Sequence, residues 1–193
     1  AIPEELIEQA GPFTSTMGGA GPPKLPRFLH AGPPLAALGA GVLDRGTAAL
    51  ARGDAVASEI TNDAWRERLG RSTLPRVDAA TAGHNLARIA SPHDFTLFAH
   101  YSTDHAGHER RLDRAVSALE RVDAFLGGLL ERLDDALLLV VSDHGNLEDA
   151  RRGHTLNPAL GVIAGPGHAA VAGELDDLTR VTPVIMRVLG ATR

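Results

Sequence analysis

The sequence predicts an α/β fold, a three-layer sandwich in which helices cover a mostly parallel sheet. Three observations predict it. The run "ALLLVV" (136–141) is apolar throughout, without the alternation of a half-buried strand, as expected where a parallel strand is covered on both faces. Just before it, "ERRLDRAVSALERVDAFLGGLLERLDD" (109–135) spaces Leu112, Val116, Leu119, Val122, Leu126, Leu129 and Leu133 by three or four, a single apolar stripe on a long helix. After it come a second short apolar run, "ALGVIAG" (159–165), and a closing amphipathic stretch, "DDLTRVTPVIMRVLG" (176–190). Elements of these lengths in this order belong to layered α/β architectures.

In chain order, residues 1–34 form an irregular segment that holds seven of the twelve prolines. A structureless stretch of that length inside a domain reads as a lid or linker. Residues 35–93 read as a mainly helical region in short pieces. "GTAALARG" is alanine-rich. "TNDAWRERLG" opens on a capping-type Thr61-Asn62-Asp63 cluster and ends at Gly70, a helix stop. "RVDAATAGHNLARIAS" carries Asp78 near its start and Pro92 beyond its end. Residues 94–193 form the α/β part. It begins with "FTLFAHY" (95–101), an aromatic and β-branched strand candidate. The Gly127-Gly128 pair weakens the long helix or lets a neighbour approach closely, and Pro183 suits the first turn of the last helix.

Composition narrows the function classes. The chain has 193 residues, 44% hydrophobic and 22% charged, enough to bury a core. A net charge of −5 with no basic patch argues against nucleic acid as a partner. No apolar run approaches the roughly 20 residues that span a bilayer, so no membrane partner is expected. The absence of cysteine excludes thiolate ligands and nucleophiles within these residues and fits a reducing compartment, so a cytoplasmic location is expected.

The chemistry concentrates where two strand candidates end. Asp104 and His108 in "DHAGH" follow the first and stand one helical turn apart. Asp143 and His144 in "SDHGN" end the second, and His154 lies in "GHTLNP". In open α/β sheets ligands gather beyond the carboxyl ends of strands. One such pair also reads as a cap or turn, whereas two pairs and a further histidine point to metal. Carboxylate with imidazole suits Zn²⁺ or Mn²⁺ better than cations that prefer all-oxygen shells. Arg151 and Arg152 beside His154 read as solvated loop charges or as phosphate-binding forks. Glu148 and Asp149 read as supports for the ligands or as loop acids, and Asn146 and Asn157 as turn formers.

The stretch "VVSDHGNLEDARRGHTLNPALGVIAGPG", with the upstream "DHAGH" and the closing helix, resembles the C-terminal part of cofactor-independent phosphoglycerate mutases and phosphopentomutases, within the alkaline phosphatase superfamily. The resemblance covers about residues 94–190. It implies a metal-dependent phosphatase or phosphomutase acting on a small phosphorylated substrate through two divalent ions, Mn²⁺ or Zn²⁺. One ion falls to Asp104, His108 and His154, the second to Asp143 and His144. It also implies a further aspartate and a serine or threonine nucleophile in an N-terminal module with no counterpart in these residues. The hydroxyls of "TSTMGG" (14–19) follow no strand and do not match it. The chain is therefore expected to be the C-terminal portion of a longer protein, pairing with an N-terminal fragment or self-associating along an apolar sheet edge. The alternatives are a sulfatase-like or phosphonate hydrolase and a non-catalytic metal-binding fragment.

Overall fold

The computed structural model describes residues 45–149 and 151–191, with Pro33, Ala36, Ala37 and 40–42. Apart from Pro33, the irregular segment 1–34 with its "TSTMGG" turn lies outside the described residues. Backbone contacts divide the chain into two units, Ala1–Val77 and Asp78–Arg193.

In the first unit, α1 (Thr47–Arg52) ends where Gly53 turns left-handed, and α2 (Asp63–Glu67) follows. Leu50, Ala55, Ala57, Trp65 and Leu74 pack as its core. The expected Thr61-Asn62-Asp63 cap does not form as such. Glu59 accepts from the backbone N–H groups of Ala64 and Trp65 at 2.8 and 3.4 Å, while buried Asn62 donates to the Pro75 carbonyl at 3.0 Å. A carboxylate from the preceding turn satisfies the orphan helix donors and leaves the amide to pin a loop.

The second unit opens on α3 (Ala79–Ala90), capped by Asp78, whose carboxylate accepts from the Thr81 N–H at 2.7 Å. Residues 95–100 form no strand, and no ladder partner pairs with them among the described residues. Phe98 instead stacks its ring on Phe125 at 5.1 Å. The chain then turns through α4 (Ser102–His108) into α5 (Leu112–Arg132).

The expected apolar stripe of α5 packs only along its second half. Leu112, Val116 and Leu119 are exposed, Val122, Leu126 and Leu133 are half-buried and Leu129 is buried, while Ala115, Ala118, Phe125 and Gly128, outside the stripe, are buried too. The reason is the mode of packing against α3. A Cβ on Gly83 would strike backbone atoms of Phe125, Gly128 and Leu129, and one on Gly128 would strike the Ala80 carbonyl. The two backbones touch, so small residues rather than leucines decide which face turns inward.

The sheet among the described residues has two strands, β1 (Leu138–Val141) and β2 (Gly161–Ala164). They pair antiparallel, Leu138 opposite Ala164 and Val141 opposite Gly161. The fold class is thus α/β, but this pair runs against the parallel direction expected from "ALLLVV". An unbroken apolar run signals burial and carries no information on strand direction. After β2 come α6 (His168–Val171) and α7 (Val181–Val188), with Pro183 in the first turn as expected. Among the described residues no helix is long and apolar enough to cross a membrane.

Substituting Gly83 by Ala is expected to cost about 1–3 kcal/mol, the usual range for overpacking, despite alanine's better helix propensity. Gly127, whose Cβ would meet nothing within 4 Å, is the control. Gly127→Ala should stabilise by up to about 1 kcal/mol. Urea midpoints that moved the same way in both variants would contradict the backbone contact.

Asp78 gives a pH test. Its carboxyl is held below the ordinary value, first by the Thr81 backbone N–H and then by the Thr81 hydroxyl. A depressed folded pKa contributes stability that is complete above the unfolded value and lost as pH falls through the folded one. Asp78→Ala should therefore cost about 1 kcal/mol at neutral pH, and the gap should close in acid, below the ordinary aspartate value of about 3.9. An undiminished gap there would rule out the charged cap.

Candidate metal centre

Three separate segments bring the polar side chains together. The first is α4, whose helical spacing places Asp104 and His108 on one face. The second is the turn after β1, which carries Asp143, His144 and Asn146. The third is the segment before β2, which carries His154 and Thr155.

They meet around one oxygen. Oδ1 of Asp104 lies 3.1 Å from His154 Nε2, 3.4 Å from His108 Nε2 and 3.8 Å from His144 Nε2. His108 Nε2 and His154 Nε2 are 3.0 Å apart, and the rings of His144 and His154 stack with centroids at 3.8 Å. Asp104, His144 and His154 form a set whose ligand atoms all lie within 4.8 Å of one another. Asp143 sits at the margin. Its carboxylate is 84% exposed, with Oδ1 3.5 Å from His144 Nε2. Of the five residues singled out in the sequence as metal ligands, Asp104, His108, His144 and His154 thus lie around one oxygen, with His144 against Asp104 and His154, and Asp143 stands at the margin beside His144. A carboxylate oxygen and imidazole nitrogens are the donors that Zn²⁺ and Mn²⁺ take, so the donor set fits such an ion.

Electrostatics favour an ionised Asp104. Partial burial is the largest single influence and raises its pKa. Hydrogen bonds from Asn146 and His154, with the nearby imidazoles of His108 and His144, more than offset it, and the carboxyl ends below its ordinary value. Tyr101 is shifted up, by burial and then by the charge of Asp143, which places its phenol within reach of that carboxylate's field.

Arg151 and Arg152 are engaged by an acid of the same loop. Both rest on Asp149, at 2.8 and 3.4 Å, and both are largely exposed.

Sequence reasoning underrated the residues that hold the ligands in place. Asn146, read as a turn former, is buried, and its amide donates to Asp104 Oδ1 at 2.6 Å and to the Asp104 carbonyl at 3.2 Å. Glu148 accepts from the Asn146 N–H at 2.7 Å, from the Asn157 amide at 3.0 Å and from the Thr155 hydroxyl. The Thr155 N–H also bonds the Gly145 carbonyl at 2.9 Å. The sequence offered only their closeness in the chain to two histidines, Asn146 two residues after His144 and Thr155 immediately after His154, which does not show what either side chain reaches.

With this geometry in view, the comparisons with known proteins agree. The model of the Metalloenzyme superfamily matches residues 74–193, and the chain belongs to that superfamily. Among curated relatives it is 34% identical over 118 residues to the 2,3-bisphosphoglycerate-independent phosphoglycerate mutase of Thiobacillus denitrificans, covering 54% of this chain and 22% of that protein. It is 31% identical over 121 residues to 2,3-bisphosphoglycerate-independent phosphoglycerate mutase 2 of Methanosarcina acetivorans, covering 56% and 23%. The chain therefore spans less than a quarter of the length of these two relatives. No solved structure matches it at a significant level.

Glu148 is expected to fasten the His154 segment to the turn after β1. In Glu148→Ala, hydrogen exchange at the Thr155 amide should quicken while amides within α5 keep their rates. Unchanged exchange at Thr155 would show that the backbone bridge suffices without the carboxylate.

Proposed function

We propose that the protein to which these residues belong is a metal-dependent phosphoryl-transfer enzyme of the phosphomutase or phosphatase type, acting on a small phosphorylated substrate. The observation that carries this reading is the convergence of Asp104, His108, His144 and His154 in a chain of the Metalloenzyme superfamily. The names of its relatives, phosphoglycerate mutases, favour the mutase branch. In this reading Asp104, His108 and His154 hold one divalent ion, and Asp143 and His144 contribute to a second, Mn²⁺ or Zn²⁺ in each case. Such ions, when bound, lower the pKa of an attacking hydroxyl and neutralise phosphoryl oxygens.

The chain's own residues divide the work. Asp104 supplies the anionic oxygen on which the imidazoles centre, and the imidazoles present nitrogen lone pairs without adding negative charge that would repel a phosphate. Asp143, the most exposed of the acids here, is placed to meet a group arriving from solvent. Arg151 and Arg152 would have to leave Asp149 before gripping a phosphate. A three-layer, mostly parallel core for the whole protein is part of the proposal, with β1 and β2 as one antiparallel pair within it.

A second reading rests on the triad Asp104, His144 and His154. If one ion takes those three, the site is mononuclear. Stoichiometry decides between the two. Elemental analysis of the whole protein to which these residues belong, purified without chelator and saturated with Mn²⁺ or Zn²⁺, is expected to approach two ions per chain. Replacing His154 by Ala should remove the ion shared by Asp104 and His108 and lower the affinity by at least about tenfold. The circular dichroism spectrum should stay unchanged, because a ligand on a loop contributes little to the core. One ion per chain would favour the mononuclear reading, and undiminished metal content in His154→Ala would remove His154 from the site.

A further inference from the structure

We infer that Asn146 is a positioning residue that fixes the orientation of the Asp104 carboxylate, so that a bound divalent ion meets one oxygen rather than two. The inference rests on the metal-site reading above.

The observations come from both sides of the amide. Its nitrogen donates to Asp104 Oδ1 at 2.6 Å and to the Asp104 carbonyl oxygen at 3.2 Å. Asp104 thus offers this amide two acceptors and no donor, which settles which end of the amide faces it. The opposite orientation would set three oxygens against one another. The other end, Oδ1 of Asn146, is buried and makes no hydrogen bond. A buried carbonyl without a partner is destabilising, so an amide here is a poor choice for stability alone. A leucine of similar shape would avoid that cost. The arrangement makes sense if the N–H groups do something a hydrocarbon cannot.

What they do follows from geometry. The oxygen that Asn146 holds is the one facing all three imidazoles. One of its lone-pair directions is taken by the amide and another is aimed at the histidines. The carboxylate cannot rotate to present both oxygens to the imidazole side without breaking a 2.6 Å bond to a charged acceptor. Single-oxygen ligation keeps the coordination number low and leaves a position for substrate, as catalytic sites require.

Gly107 makes room for this. A Cβ there would overlap the Asn146 side-chain amide, and the atom struck is not the free end of a flexible chain but part of a buried planar group. Gly107 lies on α4, three residues from Asp104 and one from His108, so the helix that carries two of the donors is also shaped around the amide.

The test uses the full 193-residue chain and Co²⁺, a spectroscopic stand-in for Zn²⁺ whose visible bands weaken as coordination number rises. Two variants are compared with the parent, Asn146→Leu, which keeps the shape and removes the donor, and Gly107→Ala, which leaves the donor but displaces it. Both are expected to bind Co²⁺ about 10–100-fold more weakly and to show weaker, shifted visible bands, because a freed carboxylate can ligate through both oxygens. His84→Ala, on a surface histidine paired with Glu131, should match the parent in both respects. Bands identical to the parent's in both variants would overturn the inference, whatever happens to affinity, since a role in packing alone weakens binding without changing the ligand geometry. If Asn146→Leu fails to fold, Gly107→Ala decides alone, and parental bands in it overturn the inference. A parent chain that binds no Co²⁺ would refute the metal reading itself and this inference with it, a result distinct from normal binding with insensitive variants.

Discussion

Oδ1 of Asp104 has to carry negative charge in a place where its side chain is only 34% exposed, and the arrangement of the second unit follows from how that charge is met. Desolvation disfavours the ionised form. The compensation comes from an amide and three imidazoles supplied by α4, the turn after β1 and the segment before β2. No single element could provide them. The backbone must bring segments some 50 residues apart in sequence to within hydrogen-bond distance, and hold them there without much apolar burial at the site itself.

That holding is done at two levels. Helix α4 has seven residues, too few to persist on its own. It is joined to α5 through a tight turn in which Arg110 takes a left-handed backbone, uncommon for a residue with a side chain. The long helix is in turn set against α3 at the glycine contact, where backbone meets backbone. Close-packed backbone leaves little freedom to slide, so the position of Asp104 is inherited from the contact between Gly83 and Gly128. The second level is polar. Glu148, Thr155, Asn157 and Asn146 form one connected set of hydrogen bonds that ends on the Asp104 carboxylate. The bonds of Glu148 to Thr155 and Asn157 are exposed and those of Asn146 partly buried, and a buried polar network acts as a unit when every member is satisfied. Here one atom is not, Oδ1 of Asn146, and it sits against the glycine of the ligand-bearing helix.

The donors were legible in the sequence because their chemistry is carried by residue type and by position after apolar runs. Asp104, His108, Asp143, His144 and His154 could each be picked out as candidates, and the structure gathers four of them around Asp104 Oδ1 with Asp143 at the margin. Helix positions were legible for a similar reason: Asp78 caps α3 and Pro183 falls in the first turn of α7. What failed were inferences that need a partner. "FTLFAHY" has the composition of a strand, but a strand exists only beside another, and none lies alongside among the described residues. The apolar stripe of α5 packs in its second half, at Leu129, but Leu112, Val116 and Leu119 stay exposed because the closest neighbour approaches through glycine and alanine. Asn146 looked like a turn residue because nothing local reveals that its amide reaches a carboxylate 42 positions away.

The antiparallel pairing of β1 and β2 bears directly on the site. Had β1 and β2 been parallel neighbours, the end of β1 and the start of β2 would lie at opposite ends of the sheet. His144, just after β1, and His154, just before β2, would then be separated by the length of the strands. Antiparallel pairing puts Val141 beside Gly161, and the ladder continues outward through the Ser142 N–H to the Leu160 carbonyl at 2.9 Å. The bridge between Gly145 and Thr155 closes the excursion again farther along. The two limbs are thus tied at both places, and the histidines, each next to a bridge residue, come face to face with ring centroids at 3.8 Å. The short ladder of β1 and β2 therefore contributes little area to a core but sets the spacing between two of the donors, and α4 needs only to deliver Asp104 and His108 to a pair already in register.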